Sequence, residues 1–284
     1  MKRLLIPVLA GAGLCFAQIS ASAQEFKQHV SKQFTLQKGV VAIYNISGSI
    51  NVEGYSGDKV IMEIEETISA DDQATLEQGK KEFKLAFDQK QDTVMAYIAE
   101  PYDSRPRHNW NRGHDDREIH YQYNLEFTVK VPFNMDLKVS TVNNGHITVK
   151  DVYGALKVNN VNGPIDIVNA KGTTDAHTVN GAVTANYLKI PSDASSYRTI
   201  NGEVKITYPA SLAADLEFKS MNGQFYTDFP DAEVMPGKVI KTQSKSSNGT
   251  VYKLSKNSDV RIGAGGKTFK FETLNGNIYI KKQQ

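Results

Sequence analysis

Residues 142–206 read VNNGHITVKDVYGALKVNNVNG, then PIDIVNAKGTTDAHTVNG, then AVTANYLKIPSDASSYRTING, then EVKI. Each line holds a short alternating apolar run, a kink, a second alternating run and an Asn-Gly pair. The glycine of that pair recurs at Gly145, Gly163, Gly181, Gly202, Gly223, Gly249 and Gly276, at intervals of 18, 18, 21, 21, 26 and 27 residues. A period near 20 with fixed punctuation marks a repeat architecture. Within a repeat, Ile147 and Val149 are followed by Leu156 and Val158, then by Ile165 and Ile167, with the period of two of a strand buried on one face. Corners such as Tyr153-Gly154 and Lys171-Gly172 part the two strands of a repeat.

One repeat buries too few aliphatic side chains to offset the entropy of ordering its backbone. Stacked coils supply the missing hydrogen bonds and packing. The sequence therefore predicts an all-β, single-domain β-solenoid: short, mostly parallel strands in coils about 4.8 Å apart. Hairpins are the competing reading, because Asn-Gly is a strong hairpin signal. Against them, a single apolar residue (Val142, Val161, Val179, Ile200, Met221, Leu274) precedes the turn with the coil period. Glycine tolerates positive φ where the coil bends, and stacked Asn side chains are expected to hydrogen-bond along the rod.

The regular repeats occupy 135–284, and 24–134 form a less regular N-terminal part. There a lead-in strand from Gln24 to Val40 precedes a first coil, VAIYNISGSINV, which turns at Ser47-Gly48. Ser69 with Asp72 reads as a capping box for one short helix over 71–81, laid across an open sheet edge. Strands are expected over 83–87, 94–98 and 121–131. The terminal pair Lys281-Lys282 is read as either a guard against edge-to-edge strand addition or a polar tail.

Met-Lys-Arg, an apolar run from Leu4 to Ile19 and then Ala21-Ser22-Ala23 describe a signal peptide over 1–23. No stretch offers the roughly 20 apolar residues of a membrane span. The lone cysteine, Cys15, falls in that leader, so disulfides and thiol catalysis are not expected. Loss of Lys2 and Arg3 leaves 31 basic against 31 acidic residues, which argues against nucleic acid as a partner.

The segments VPFNMDLKVSTVNNGHITVKDVYGALKVNNVNGPIDIVNAKG, YPASLAADLEFKSMNG and IGAGGKTFKFETLNGNIYIKK resemble the head-GIN-like, putative-adhesin β-solenoid family of bacterial envelope proteins. The resemblance covers 125–284 well and 40–64 loosely. It implies a β-helix-like fold and periplasmic or cell-surface placement, and it brings no catalytic residues. The segment 71–120 falls outside the shared pattern.

The loop PYDSRPRHNWNRGHDDREIH, 101–120, concentrates the only tryptophan and three of the six histidines. Tyr102, Arg105, Arg107, Trp110 and Arg112 form a candidate glycan-contact set, through stacking and forked hydrogen bonds. The alternative is a solvated loop whose Trp110 tucks onto the solenoid flank. A metal site from His108, His114, His120, Asp115 and Asp116 is disfavoured by the interleaved arginines and the spacing of the histidines. No metal or other cofactor is expected. The expected function is a non-enzymatic envelope protein that binds a polysaccharide, another envelope protein or a component of a stress-sensing system. The alternative is a polysaccharide lyase or glycosidase on a β-helix scaffold. Its carboxylates would come from Asp151, Asp166 and Asp175, which are scattered over corners and strands.

Overall fold

A computed structural model describes residues 24–106, 118–236, 239–246, 249–256 and 258–284. The proposed leader, 1–23, lies outside them. The described chain is all-β, with one short helix. Eight coils stack, and each gives one strand to each of two facing sheets. In sheet one, Gln122–Pro132, Ile50–Tyr55, Ile147–Lys150, Ile165–Ala170, Val183–Tyr187, Val204–Tyr208, Ile278–Lys282 and Phe225–Thr227 lie side by side in that order. In sheet two the matching order is Thr93–Glu100, Val40–Tyr44, Asp136–Ser140, Leu156–Asn159, Thr174–His177, Ser195–Arg198, Lys267–Asn275 and Ala214–Asn222. Every neighbouring pair in these two runs is parallel, as in Lys157 beside Asp175 and Thr148 beside Asp166, and the register between Ile165–Ala170 and Val183–Tyr187 shifts once, between Ile167 and Ala170. Seven steps of about 4.8 Å give a stack about 34 Å tall.

Inward positions alternate with outward ones along each strand, so Ile147, Val149, Leu156, Val158, Ile165 and Ile167 are buried between the sheets. Toward the C-terminal end the filling turns aromatic. Tyr187, Tyr208 and Phe269 stack at 5.1 and 5.5 Å, and Tyr197, Phe271 and Phe218 at 5.3 Å each. The hydroxyls of Tyr187, Tyr197 and Tyr208 bond to one another and to Thr174, which satisfies polar groups that would be costly to leave alone.

The coils do not climb in chain order. After the coil 40–55 the chain steps outward to build 93–132, then returns to the other side with 136–150. At the far end, the last coil, 267–282, slots between 195–208 and 214–227. Lys281 and Lys282 therefore end a strand inside the sheet, paired with Thr207 and Tyr208 on one side, while the pairing on the other side stops at Ile280. Asn-Gly at 248–249 also departs from the pattern. Gly249 opens the second strand of an antiparallel hairpin, Val239–Ser246 with Gly249–Lys256, that forms a sheet of its own. Gly249 pairs there with Ser246, so it lies in the strand and not at the centre of a turn.

The helix spans Gln73–Glu82, and its cap is Asp72, whose side chain accepts from the Thr75 backbone N–H at 2.9 Å. Ser69 instead lies in the strand Lys59–Ala70, which pairs antiparallel with Gln24–Thr35 and Gln122–Pro132. The helix packs Leu76 and Gly79 against the inner side of that extension, near Ile68 and Tyr121. It covers the core over Ile68 and Tyr121, while Gln24–Thr35 and Lys84–Lys90 remain as the sheet edges.

Candidate binding ridge

Six Asn-Gly corners fall on one edge of the stack and share a local grammar. A polar residue points in, an apolar residue follows, then Asn, then Gly: Asn160-Val161-Asn162-Gly163, Thr178-Val179-Asn180-Gly181, Thr199-Ile200-Asn201-Gly202, Ser220-Met221-Asn222-Gly223 and Thr273-Leu274-Asn275-Gly276. Thr141-Val142-Asn143-Asn144-Gly145 carries one extra residue, Asn144, which takes the left-handed φ of 54°.

The inner polar groups reach the corner carbonyl of the preceding coil. Thr178 Oγ1 donates to Gly163 O at 2.8 Å, Thr199 Oγ1 to Gly181 O at 2.8 Å, Thr273 Oγ1 to Gly202 O at 3.1 Å and Asn160 Nδ2 to Gly145 O at 2.9 Å. The glycines are required by close approach. A Cβ on Gly181 would sit 2.2 Å from Gly163 O, and one on Gly202 would sit 2.0 Å from Gly181 O. Positive φ, the reason expected from sequence, applies at Gly48 (107°) and not at Gly181.

The next residue out builds the expected ladder. Asn162 Nδ2 donates to Asn143 Oδ1 at 2.9 Å. Asn180 to Asn162, Asn201 to Asn180, Asn275 to Asn201 and Asn222 to Asn275 follow, each at 2.8 Å. All six amides are exposed. An amide carries two N–H donors, and the ladder bond uses one of them. Beside it runs an apolar stripe, half-buried at Val142, Val161 and Val179 and exposed at Ile200 (37 %), Leu274 (41 %) and Met221 (76 %).

The loop that follows Thr93–Glu100 leads to Gln122–Pro132 in the other sheet, so it takes the place of an Asn-Gly corner on this same edge. Ser47, at the adjoining corner, donates to Asn124 Oδ1 at 3.3 Å. Of the five proposed glycan-contact residues, Tyr102 and Arg105 are described, whereas Arg107, Trp110 and Arg112 lie outside the described residues. So do His108, His114, Asp115 and Asp116. Tyr102 is half-buried. Beside it, burial pushes the Tyr123 hydroxyl up to about 12. Arg105 forks onto Asp103, with Nη2 to Oδ2 at 2.6 Å, and lies 4.1 Å over the Tyr97 ring on the outer face of sheet two. Those contacts with Asp103 raise its pKa further. Tyr97 adjoins Tyr44, whose carbonyl accepts from Ser104 Oγ at 2.6 Å. The start of the loop is thereby tied to the foot of the ridge.

The acids weighed for glycoside chemistry fall apart in space. Asp166 lies on the outer face of sheet one, against His146 Nε2 at 2.6 Å and the Thr184 hydroxyl. Asp175 is on the outside of sheet two, and Asp151 sits at a corner with φ 56°, accepting from Asn169 Nδ2 at 2.9 Å. His177, also in sheet two, is held low by burial and then by Arg198. Sequence reading anticipated the ladder but placed no function on it. The apolar residue before each turn was its visible sign.

No protein-family model matches the chain, and no curated protein matches it in sequence. Among solved structures the chain is similar to a putative cell adhesion protein from Clostridium sporogenes, at TM-score 0.38 and 11 % identity over 91 % of this chain and 100 % of that one. It is also similar to putative adhesins from Bacteroides fragilis and Parabacteroides distasonis, each at TM-score 0.29 and 9 % identity over 90 % of this chain and 97 % of the other. Likeness this distant has no bearing on what the ridge binds. Among the described residues no helix is long and apolar enough to cross a membrane.

Proposed function

We propose that this chain is a non-enzymatic envelope protein, exported by a leader over 1–23 to the periplasm or cell surface. Residues 24–284 act as one domain, whose Asn-Gly ridge binds an extended polysaccharide. The observation that carries the reading is the unbroken ladder of six exposed amides with an apolar stripe alongside. A polymer with a regular repeat can meet the same pair of groups, one donor and one apolar side chain, at each coil. Weak contacts repeated along one chain add up through effective concentration. The start of the loop, 101–106, is tied to the foot of the ridge, and Arg107, Trp110 and Arg112 would add stacking and forked hydrogen bonds to those of Tyr102 and Arg105.

The test is retention of the full chain on a polysaccharide array. Binding to at least one polysaccharide should fall tenfold or more in the Ile200→Asp/Leu274→Asp variant, and more modestly in Trp110→Ala. Unchanged retention in the double variant would remove the ridge, and unchanged retention in Trp110→Ala would remove the loop. Capture of an envelope protein with no glycan retention would replace the polysaccharide by a protein partner. New reducing ends on a bound polysaccharide would replace the binder by a lyase or glycosidase.

A further inference from the structure

The opposite end of the core is left open. Beyond the coil 93–132, sheet one continues with Lys59–Ala70 and Gln24–Thr35, and sheet two with Lys84–Lys90. No coil corner joins these added strands, and they stand on two sides of a cleft of about 620 Å3. Phe26 and Val30 face it from one wall and Leu85 and Phe87 from the other. All four are half-buried apolar side chains packed against the core. In the coils, the inward rows are shut in by a neighbour above and below. Here the last row is covered only in part: the helix closes over Ile68 and Tyr121, and its Lys80 reaches over the Phe26 ring and lines the cleft with Phe83.

Two polar features break the apolar lining. Glu66 faces inward between Ile64 and Ile68, 4 % exposed, and accepts from Gln28 Nε2 at 2.7 Å. It is the one carboxylate buried in the described core. Burial raises its pKa, which favours the neutral acid that can both donate and accept a hydrogen bond. At the rim stand Lys32, whose Nζ lies 5.7 Å from the Phe87 ring centre, and Lys84 on the facing strand. Among the described residues neither lysine forms an ion pair, whereas nearby Lys80 is held by Glu77 at 2.8 Å and lies over Phe26. An apolar slot between two sheets, with Gln28 on one wall bonded to buried Glu66 and lysines around its mouth, suits one kind of guest.

We propose that the cleft between Gln24–Thr35 and Lys84–Lys90 binds a single-chain amphiphile, its alkyl chain between Phe26/Val30 and Leu85/Phe87 and its anionic head group at Lys32 and Lys84. The volume is that of an ordinary small-ligand site. Burying the chain also removes the apolar wall from water. The site is separate from the ridge, and neither reading depends on the other.

Titration of the full chain with cis-parinaric acid tests it by fluorescence. Saturable binding of one molecule per chain is expected, displaced by dodecanoate or by dodecyl phosphate and at least tenfold less well by dodecyltrimethylammonium. Comparing the first two displacers tells a carboxylate head from a phosphate. Leu85→Arg and the exposed double variant Lys32→Glu/Lys84→Glu should each weaken binding at least tenfold, while Met221→Ser, on the ridge, should leave it unchanged. The double variant keeps the test valid if Leu85→Arg fails to fold. Absence of saturable binding, equal displacement by the cationic amphiphile, or wild-type affinity in the lysine variant would overturn the proposal. So would a dimer of the chain that Leu85→Arg dissolves, since a second copy would then be the occupant.

Discussion

Asn-Gly at 180–181 and Asn-Gly at 248–249 are the same dipeptide with different outcomes. The first closes a coil, with Gly181 pressed against the carbonyl of Gly163 and Asn180 bonded to the amides above and below. The second belongs to a hairpin, in which Gly249 pairs with Ser246. The flanks differ. Thr178-Val179 precedes the first pair and Ser246-Ser247 the second. The coil corner needs an inward hydroxyl or amide to reach the previous coil and an apolar residue to pack beside the ladder. The hairpin pair lacks that apolar residue. Asn-Gly alone thus does not define a coil corner, because Gly249, without that inward polar and apolar pair before it, lies in an antiparallel strand.

The largest contrast should come from the glycines. Gly181→Val places a branched side chain on a neighbouring backbone carbonyl and should cost at least about 3 kcal/mol. Thermal unfolding should then fall by on the order of 10 °C. Gly249→Val, outside the stack, should cost less, and exposed Lys189→Ala should stay within about 0.5 kcal/mol of wild type. Equal melting temperatures for the two valine variants would erase the distinction.

Thr178→Val keeps the shape of the corner but removes a buried 2.8 Å bond, leaving the Gly163 carbonyl short of a donor. A loss of about 1–3 kcal/mol in denaturant unfolding is expected. A neutral result would mean that the inner hydroxyl does not select the coil. Asn180→Ala breaks two ladder bonds in an exposed setting and should cost only about 1 kcal/mol. A larger loss than in Thr178→Val would reverse the order of importance of the two corner layers.

The smallest effect concerns the sheet extension. His29 sits between Glu65 at 2.6 Å and Glu63 at 2.8 Å, and the bond to Glu65, then that to Glu63, raises its pKa above 6.5. Because the folded pKa is the higher one, the stabilisation is complete below about 6.5 and fades as pH rises through the folded value. Intrinsic-rate-corrected amide protection of 24–35 should therefore drop as pH rises above about 6.5 through the raised folded value. The drop should vanish in His29→Gln, and a variant that retains it would remove His29 as the cause.

The repeat was legible because period-two patterning and a recurring turn are local properties of the chain. Coil order was not, because it depends on which edge remains free once 195–208 has been laid down. Nothing in FKFETLNGNIYIKK records that it fills a gap left earlier. The helix cap shifted from Ser69 to Asp72 because the strand before it runs on to Ala70. Within the candidate site, Arg105 was marked for forked hydrogen bonds to a glycan, and in the structure its fork is taken up by Asp103, two residues back. The end cleft left no sequence sign beyond Glu66, a charged residue at an inward position of an alternating strand.

Disulfide trapping in a Cys15→Ser background tests the coil assignment most directly. In the stack, Lys157 pairs with Asp175, one coil further along. A hairpin about Asn162-Gly163 would instead place Lys157 opposite Val168. Lys157→Cys/Asp175→Cys should therefore oxidise readily to an intramolecular disulfide, while Lys157→Cys/Val168→Cys should remain reduced. The opposite result would mean that Asn-Gly joins antiparallel strands here and that no coil exists.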